Sequence, residues 1–250
     1  MNNLRYEQFY NKGYQIFSNV LTCKEAENYK EKVLKVCEKQ ANDFGIEKIR
    51  LIQEENIARS PFLCDPVFQN LFYNDFTMKI VKDILGEYAI LSLQNAIIVP
   101  PKQKHHQGFY HRDIIYQEFT SSRPLAINLY YCLDNYSADN GGTTFIPYSH
   151  KKEKLSSFQD EESPDLKKGS VILFDSMVYH KAGTNVTEKS RCGINNMYSL
   201  PFIKQQIDYP SYLKEPTSDQ KLNRLLGFES REHSSTTDFR QYRLDRKLDV

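Results

Sequence analysis

Residues 109–113 read F-Y-H-R-D, so an imidazole, His111, stands two positions before a carboxylate, Asp113. In an extended strand, side chains at i and i+2 share one face, whereas on a helix they diverge. On a strand His111 and Asp113 would point one way and Arg112 the other, where it would pair with an acidic neighbour. A neutral imidazole and a carboxylate on one face are two legs of a metal site. His180 is placed to be the third, because it follows G-S-V-I-L-F-D-S-M-V-Y, which reads as a strand ending in a short turn. Two histidines and one carboxylate on one face of an octahedral ion leave three positions open, the arrangement of non-haem Fe(II) oxygenases. The same trio suits tetrahedral zinc with one water, so a zinc-dependent hydrolase stands as an alternative. His105, His106, His150 and His233 lack a carboxylate two residues away on a strand. They read as loop, turn or packing residues.

Arg191 extends the pattern. The stretch after His180 reads K-A-G-T-N-V-T-E-K-S-R, and the turn at Gly183-Thr184-Asn185 predicts that Arg191 returns on the neighbouring antiparallel strand. A guanidinium grips a carboxylate through two parallel N–H bonds. A dicarboxylic keto acid chelating the metal at one end would need such a clamp at the other. The hydrolase alternative gives Arg191 no role.

These residues need a frame. A chain of 250 residues can bury a sizeable core without staples. A net charge of +1 gives no field of one sign for nucleic acid or an anionic membrane. The five cysteines are widely spaced and form no C-x-x-C pair, which argues against a disulfide scaffold or a structural zinc site. No stretch approaches the ~20 apolar residues of a membrane span. The first residues lack the apolar run of a signal peptide. The expected location is cytoplasmic, and Asn185-Val186-Thr187 is expected to be a turn.

The first hundred residues read as mostly helical. Thr22 and Glu25 form a capping box ahead of Ala26, Tyr29, Val33, Val36 and Cys37 at helical spacing. A second helix is predicted from Asp65-Pro66 to Gly86. After Gly86, short apolar runs alternate with turn signals through Y-S-L at 198–200. Strands in series without helical patterns between them predict a sandwich or barrel. Leu222, Leu225, Leu226 and Phe228 predict a short helix in the polar last forty residues.

The run from Phe109 to Leu200 resembles the phytanoyl-CoA dioxygenase family of Fe(II)- and 2-oxoglutarate-dependent oxygenases. His111-x-Asp113 matches its proximal metal motif. N-G-G-T-T-F-I-P-Y-S-H, Asn140 to His150, resembles its N-G…P-G-S-H segment, and Gly169 through His180 with Gly183 and Asn185 resembles a second motif. Arg191, eleven residues after His180, matches the arginine that binds 2-oxoglutarate. F-Y-N-K-G-Y-Q-I-F-S-N-V-L near the start and the late L-L-G-F are similar to further family features.

The resemblance implies one dioxygenase domain over 1–250. It is α+β with a mainly β core, a double-stranded β-helix (a cupin-like jelly roll) at about 87–203. Helices from about 1–86 pack outside it, and a tail follows at about 204–250. It implies Fe(II) on His111, Asp113 and His180, with 2-oxoglutarate as co-substrate on Arg191. Hydroxylation of an aliphatic C–H of a small molecule would consume O2 and 2-oxoglutarate and release succinate and CO2. Tyr130 stands where relatives often carry a tryptophan beside 2-oxoglutarate, so its hydroxyl is a candidate co-substrate contact. Gln94, on a strand that borders the pocket in relatives, is another.

Tyr148 replaces the usual glycine, Ser170 a common aspartate, and Ala182 a serine that contacts the co-substrate. A non-catalytic binding protein of the same fold therefore stays open as a further alternative. Halogenases of the family carry a small residue in place of Asp113, which disfavours that chemistry. The substrate pocket is expected from loops around Lys102–Gly108 and Gln117–Arg123 and from the N-terminal region. Lys102, Lys104, Arg112 and Arg123 there permit an acidic small molecule.

Overall fold

Thr22 and Glu25 act as their spacing predicts. In the computed structural model, which describes residues 4–104, 108–114, 120–155 and 157–248, Thr22 Oγ1 accepts from the Glu25 N–H at 3.2 Å. Glu25 Oε2 accepts from the Thr22 N–H at 2.8 Å. Helix α1 (Glu7–Lys12) precedes this box and α2 (Cys23–Phe44) follows it, burying Ala26, Tyr29, Val33, Val36 and Cys37 along one stripe. A short α3 (Ile46–Leu51) continues from it.

The second predicted helix is broken. Asp65 caps only a 3-10 turn, Pro66–Phe68, by accepting from the Val67 N–H at 3.0 Å. One turn of α4 (Gln69–Phe72) follows, and then Asn74 caps anew. Its Oδ1 accepts from the Thr77 N–H at 3.0 Å and opens α5 (Asp75–Leu85). A short amide side chain competes for backbone groups, so it starts a helix better than it continues one.

The β core holds strands β1 (Tyr14–Phe17), β2 (Ile57–Arg59), β3 (Ile90–Val99), β4 (Gln103–Lys104), β5 (Ala126–Cys132), β6 (Thr143–Phe145), β7 (Val171–Asp175), β8 (His180–Ala182), β9 (Thr184–Asn185) and β10 (Arg191–Ser199). Six of them form one antiparallel sheet in the order β1-β7-β5-β10-β3-β2, and β6-β8 and β4-β9 form two short antiparallel pairs. The first third of the chain is therefore not only helical, because β1 and β2 close the two edges of the large sheet. Arg191 also departs from expectation: β10 lies between β5 and β3, not beside β8.

Both faces of the large sheet are covered. One meets the helices through Leu91, Ala96, Leu129, Tyr131, Leu173 and Ile194. The other meets a second core of Tyr14, Tyr130, Phe145, Ile172, Phe174 and Val178. There the Tyr14 ring stacks on Phe145 at 4.6 Å. Every residue of β5 and β10 is buried, as expected for strands covered on both sides. The architecture is the expected jelly roll with helices outside.

Two helices, α6 (Tyr209–Leu213) and α7 (Gln220–Leu225), follow, the latter burying Leu222 and Leu225 as its pattern predicts. A last helix, α8 (Thr236–Leu248), buries nothing and is not signalled by apolar periodicity. Among the described residues no helix is long and apolar enough to cross a membrane.

Candidate active site

His111 and Asp113 do not sit in a regular strand. The His111 N–H donates to the His180 carbonyl at 3.0 Å, and the His180 N–H returns a bond to the His111 carbonyl at 3.1 Å. This is a single antiparallel bridge. The Asp113 N–H donates to the Ser176 carbonyl at 3.0 Å. Segment 111–113 is thus laced along 176–180 at both ends, and the three side chains converge. One ligand atom from each of His111, Asp113 and His180 lies within 4.8 Å of the other two. Asp113 Oδ1 is 3.8 Å from His111 Nε2 and 3.6 Å from His180 Nε2.

Each imidazole is held by its other nitrogen. His111 Nδ1 lies 2.9 Å from the Phe109 carbonyl, and His180 Nδ1 lies 3.0 Å from the Val178 carbonyl. A carbonyl only accepts, so both Nδ1 atoms carry the proton and both Nε2 lone pairs face the centre. Burial pulls the His180 pKa down, against the opposing pull of Asp113, which keeps that ring neutral. The carboxylate is steered in the same way. Asn128 Nδ2 donates to Asp113 Oδ2 at 2.8 Å and to Ser176 Oγ at 2.9 Å, which turns Asp113 Oδ1 toward the imidazoles. Asn195 Nδ2 in turn donates to Asn128 Oδ1 at 2.8 Å. Neither asparagine figures in the sequence reading. The available signal was an amide in the middle of an apolar strand, which must find a partner when buried.

Arg191 is 2% exposed and lies in the wall of the same cavity. Its Nη1 donates to Tyr130 Oη and to Tyr136 Oη, 3.1 Å each, and its Nη2 donates to the Gly141 carbonyl. A guanidinium has five N–H groups. Among the described residues three are used, which leaves Nε–H, buried without a partner, and one Nη2–H. No carboxylate among the described residues pairs with it. Burial raises the pKa of both phenols, against the pull of Arg191, so they stay protonated. Tyr136 Oη lies 3.3 Å from Tyr130 Oη and 3.1 Å from the Cys192 carbonyl, so Tyr130 retains a proton to donate. Gly193 makes this packing possible, because a Cβ there would overlap the hydroxyl of Tyr136 and the ring of Tyr130. Asn140 holds the turn that presents Gly141 by accepting from the Ser137 N–H at 2.9 Å.

Gln94 is not brought to this cavity. It lies on the helix-covered face of β3, where its amide accepts from the Phe62 N–H at 3.1 Å and donates to the Phe68 carbonyl at 3.0 Å and to Asn196 Oδ1 at 2.9 Å. Its neighbour Asn95 faces the cavity instead. Arg112 turns its head away, as expected, but forms no ion pair with an acid among the described residues. It donates to the Ser149 and Glu153 carbonyls at 3.0 and 3.1 Å and lies over the Tyr179 ring at 4.3 Å.

Lys102 is tied to Glu188 at 2.7 Å. With Arg112 turned away as well, two of the four cations expected to favour an acidic substrate are committed elsewhere. His105, His106 and Gln117 lie outside the described residues. His150 is a packing residue over Gly13, and Tyr148 adopts the left-handed φ of +64° that its glycine-like position demands. Ala182 lines the cavity without offering a donor. Asn185 closes the expected turn, its Oδ1 accepting from the Thr187 N–H at 3.0 Å.

A family model for phytanoyl-CoA dioxygenase (PhyH) matches residues 9–193. The chain belongs to the PhyH family. Membership makes it an enzyme of the 2-oxoglutarate-dependent dioxygenase class. An uncharacterized protein of Mycobacterium tuberculosis is 28% identical over 232 residues, covering 88% of this chain and 84% of that protein. The Aspergillus fumigatus protein named dioxygenase af480 is 27% identical over 177 residues, covering 65% of this chain and 55% of that one. Among solved structures, EctD from S. alaskensis with 2-oxoglutarate and 5-hydroxyectoine superposes with a TM-score of 0.65 at 17% identity, covering 81% of this chain and 77% of that one. The non-haem monooxygenase ThoJ in its nickel complex gives a TM-score of 0.63 at 17% identity, with 81% and 79% covered. These likenesses establish the fold.

Proposed function

We propose that this PhyH-family protein is an Fe(II)- and 2-oxoglutarate-dependent oxygenase that hydroxylates an aliphatic C–H of a small molecule. The observation that carries this reading is one cavity with two complementary ends. At one end two Nε2 atoms and one carboxylate oxygen converge, their orientations set from behind. At the other, a buried guanidinium has no carboxylate partner among the described residues. The donor set fits a divalent first-row ion with open positions. A buried cation without a counter-ion is costly, and a dianionic keto acid supplies that counter-ion.

In this reading His111, Asp113 and His180 hold the metal. Arg191 takes the distal carboxylate of 2-oxoglutarate through Nε–H and Nη2–H, with the Tyr130 hydroxyl as a further donor. Tyr136 and the Gly141 carbonyl hold the guanidinium at the correct angle, and Asn128 holds the carboxylate ligand. A ferrous ion bound there supplies the redox chemistry that couples decarboxylation of 2-oxoglutarate by O2 to oxidation of the substrate. The chain's own contribution is to fix geometry and exclude water. A zinc hydrolase of the same trio would leave Arg191 buried, charged and without function, which disfavours it.

The test is conversion of 2-oxoglutarate to succinate by anaerobically loaded protein on exposure to O2. Turnover that requires Fe(II) and is lost in His111→Ala and Asp113→Ala is the expected result. An active double variant sinks the proposal, and co-substrate binding without succinate under a broad set of compounds favours a binding protein.

A further inference from the structure

Resting on the oxygenase reading, we propose that the substrate is a small molecule without net charge that carries hydroxyl or N–H groups. It is held by an amide-lined wall of Asn195, Asn95 and Gln206 backed by Arg59.

The orientation of these amides follows from the metal end. Asn128 Nδ2 donates to Asp113 Oδ2 at 2.8 Å and to Ser176 Oγ at 2.9 Å, so the amide's nitrogen faces the metal end. Asn128 Oδ1 must then accept, which fixes Asn195 Nδ2 as the donor at 2.8 Å. Asn195 Oδ1 is left over. It is buried in a residue that lines the cavity, and it has no hydrogen-bond partner among the described residues. An orphaned acceptor of this kind is destabilising unless a bound molecule supplies a donor. Ionised 2-oxoglutarate has none, so the donor falls to the substrate.

Asn95 and Gln206 supply the facing side. Asn95 pairs with Asn195 across β3 and β10 and with Arg59 across β3 and β2. With its amide oxygen toward β2, Asn95 accepts from Arg59 Nη1 at 2.9 Å and donates to the Gln94 carbonyl at 2.9 Å. With Asn95 so oriented, the Gln206 amide turns with it, so that its nitrogen donates to the Asn95 oxygen 3.0 Å away, and its backbone N–H is pinned to the Ser92 carbonyl at 2.9 Å. Arg59 brings no net charge, because Glu54 takes its Nε at 3.2 Å and also its Nη2. The charge of Arg191 is answered by the co-substrate. Lys181, also in the lining, is paired with Glu161 at 2.9 Å, and Arg112 spends its N–H groups on the Glu153 and Ser149 carbonyls, so among the described lining residues no cation is left over to neutralise an anion.

Size points the same way. The cavity measures about 220 Å³ and must also admit 2-oxoglutarate. It is smaller than the ~300 Å³ at which drug-sized sites begin. A long acyl chain would lie against amides that it cannot satisfy, and unpaired buried amides disfavour such binding.

The experiment titrates anaerobic protein carrying Fe(II) and 2-oxoglutarate, read by the visible metal-to-co-substrate charge-transfer band and then by succinate on admitting O2. Three probe classes are compared: neutral amino acids, amides and polyols; fatty acids and acyl-coenzyme A thioesters; and sugar phosphates. Only the first class is expected to shift the band and accelerate succinate formation. Gln206→Leu should raise the half-saturating concentration of the best compound by about ten-fold, the loss of one hydrogen bond, while the band itself persists. The strongest response from either other class, no response from the first, or an unchanged half-saturation in Gln206→Leu overturns the inference. Failure of the oxygenase reading looks different, since no band then forms with any probe.

Discussion

Asn128→Leu isolates how far the proposed metal site depends on a residue that is not itself a proposed ligand. Asn128 is fully buried, so no water replaces its amide when the side chain becomes apolar. The bond lost is charge-assisted, 2.8 Å from Nδ2 to Asp113 Oδ2. Bonds to charged groups contribute about 1.5–3 kcal/mol. Converted at about 1.4 kcal/mol per decade, this is roughly a 10- to 100-fold loss of metal affinity. Loss of a partner that orients a metal ligand typically costs the same range. Freed of the amide, Asp113 can rotate, so Oδ1 is no longer presented to the two Nε2 atoms.

The assay is anaerobic competition against a chromophoric chelator, with Fe(II) and with redox-inert Mn(II). Ser176→Ala is the control: it removes the second acceptor of the same Nδ2, at 2.9 Å, and leaves the bond to Asp113 in place. Its metal affinity should change by less than about three-fold, well short of the loss expected for an oriented ligand. Asn128→Leu also leaves the Asn195 amide without its acceptor, so its stability should fall by about 1–3 kcal/mol, and binding is compared below its melting transition. A folded Asn128→Leu that binds both ions as tightly as the parent refutes the claim that this amide sets the carboxylate.

Other variants separate the two ends of the cavity and the two faces of the sheet. Arg191→Met should weaken 2-oxoglutarate by at least about 100-fold, as expected when one partner of a buried charge pair is removed (~3–5 kcal/mol), while metal affinity holds in the chelator assay. Tyr136→Phe should weaken it by about 5- to 10-fold, because Arg191 Nη1 keeps only Tyr130. An unchanged charge-transfer titration for both would dissociate Arg191 from co-substrate binding. Gln94→Leu should leave that titration unchanged yet lower the unfolding free energy by about 2–4 kcal/mol, since the Phe62 N–H and Phe68 carbonyl lose their partner.

Asp175 gives a pH signature. Burial pushes its carboxyl up to about 6, against the Met177 N–H bond and Arg112. A raised acid favours the native state below its unfolded pKa of 3.8, and that contribution is lost as pH rises through 6. Asp175→Asn should therefore be more stable than the parent at pH 8, by on the order of 3 kcal/mol, and no different below about pH 4. Equal denaturant midpoints at pH 8 would contradict it.

The legible parts of the site are those where chemistry restricts the residue type. Metal ligation and carboxylate binding draw on few side chains, so His111, Asp113, His180 and Arg191 stand out in the sequence even though β10 proves to lie away from β8. The supporting amides do not stand out, because asparagine serves turns and caps as readily as it serves a buried relay. Asn74 and Asn128 differ only in what surrounds them. Helix starts were readable at Thr22 and Asp65. The restart at Asn74 was hidden inside a longer apolar pattern that continues across it. Strands of four and three residues, β1 and β2, are too short to display alternation.

The misplacement of Gln94 has a more general cause. A sheet with one solvated face announces its orientation by alternating polar and apolar residues. This sheet is buried on both faces, so β3 reads as a nearly continuous apolar run with Gln94 and Asn95 adjacent in its middle. Hydropathy assigns neither to the cavity, and a shift of one residue exchanges them. What decides is partner chemistry on each side. The helix face offers an N–H at Phe62 and a carbonyl at Phe68, which a glutamine reaches with its longer stem and satisfies at both ends. The cavity face offers the guanidinium of Arg59 and the amide of Gln206 across the shorter reach of an asparagine. In a strand covered on both sides, the unmet donors and acceptors of the flanking elements therefore carry the facing information that alternation would otherwise supply, and those elements must be placed before the strand can be read.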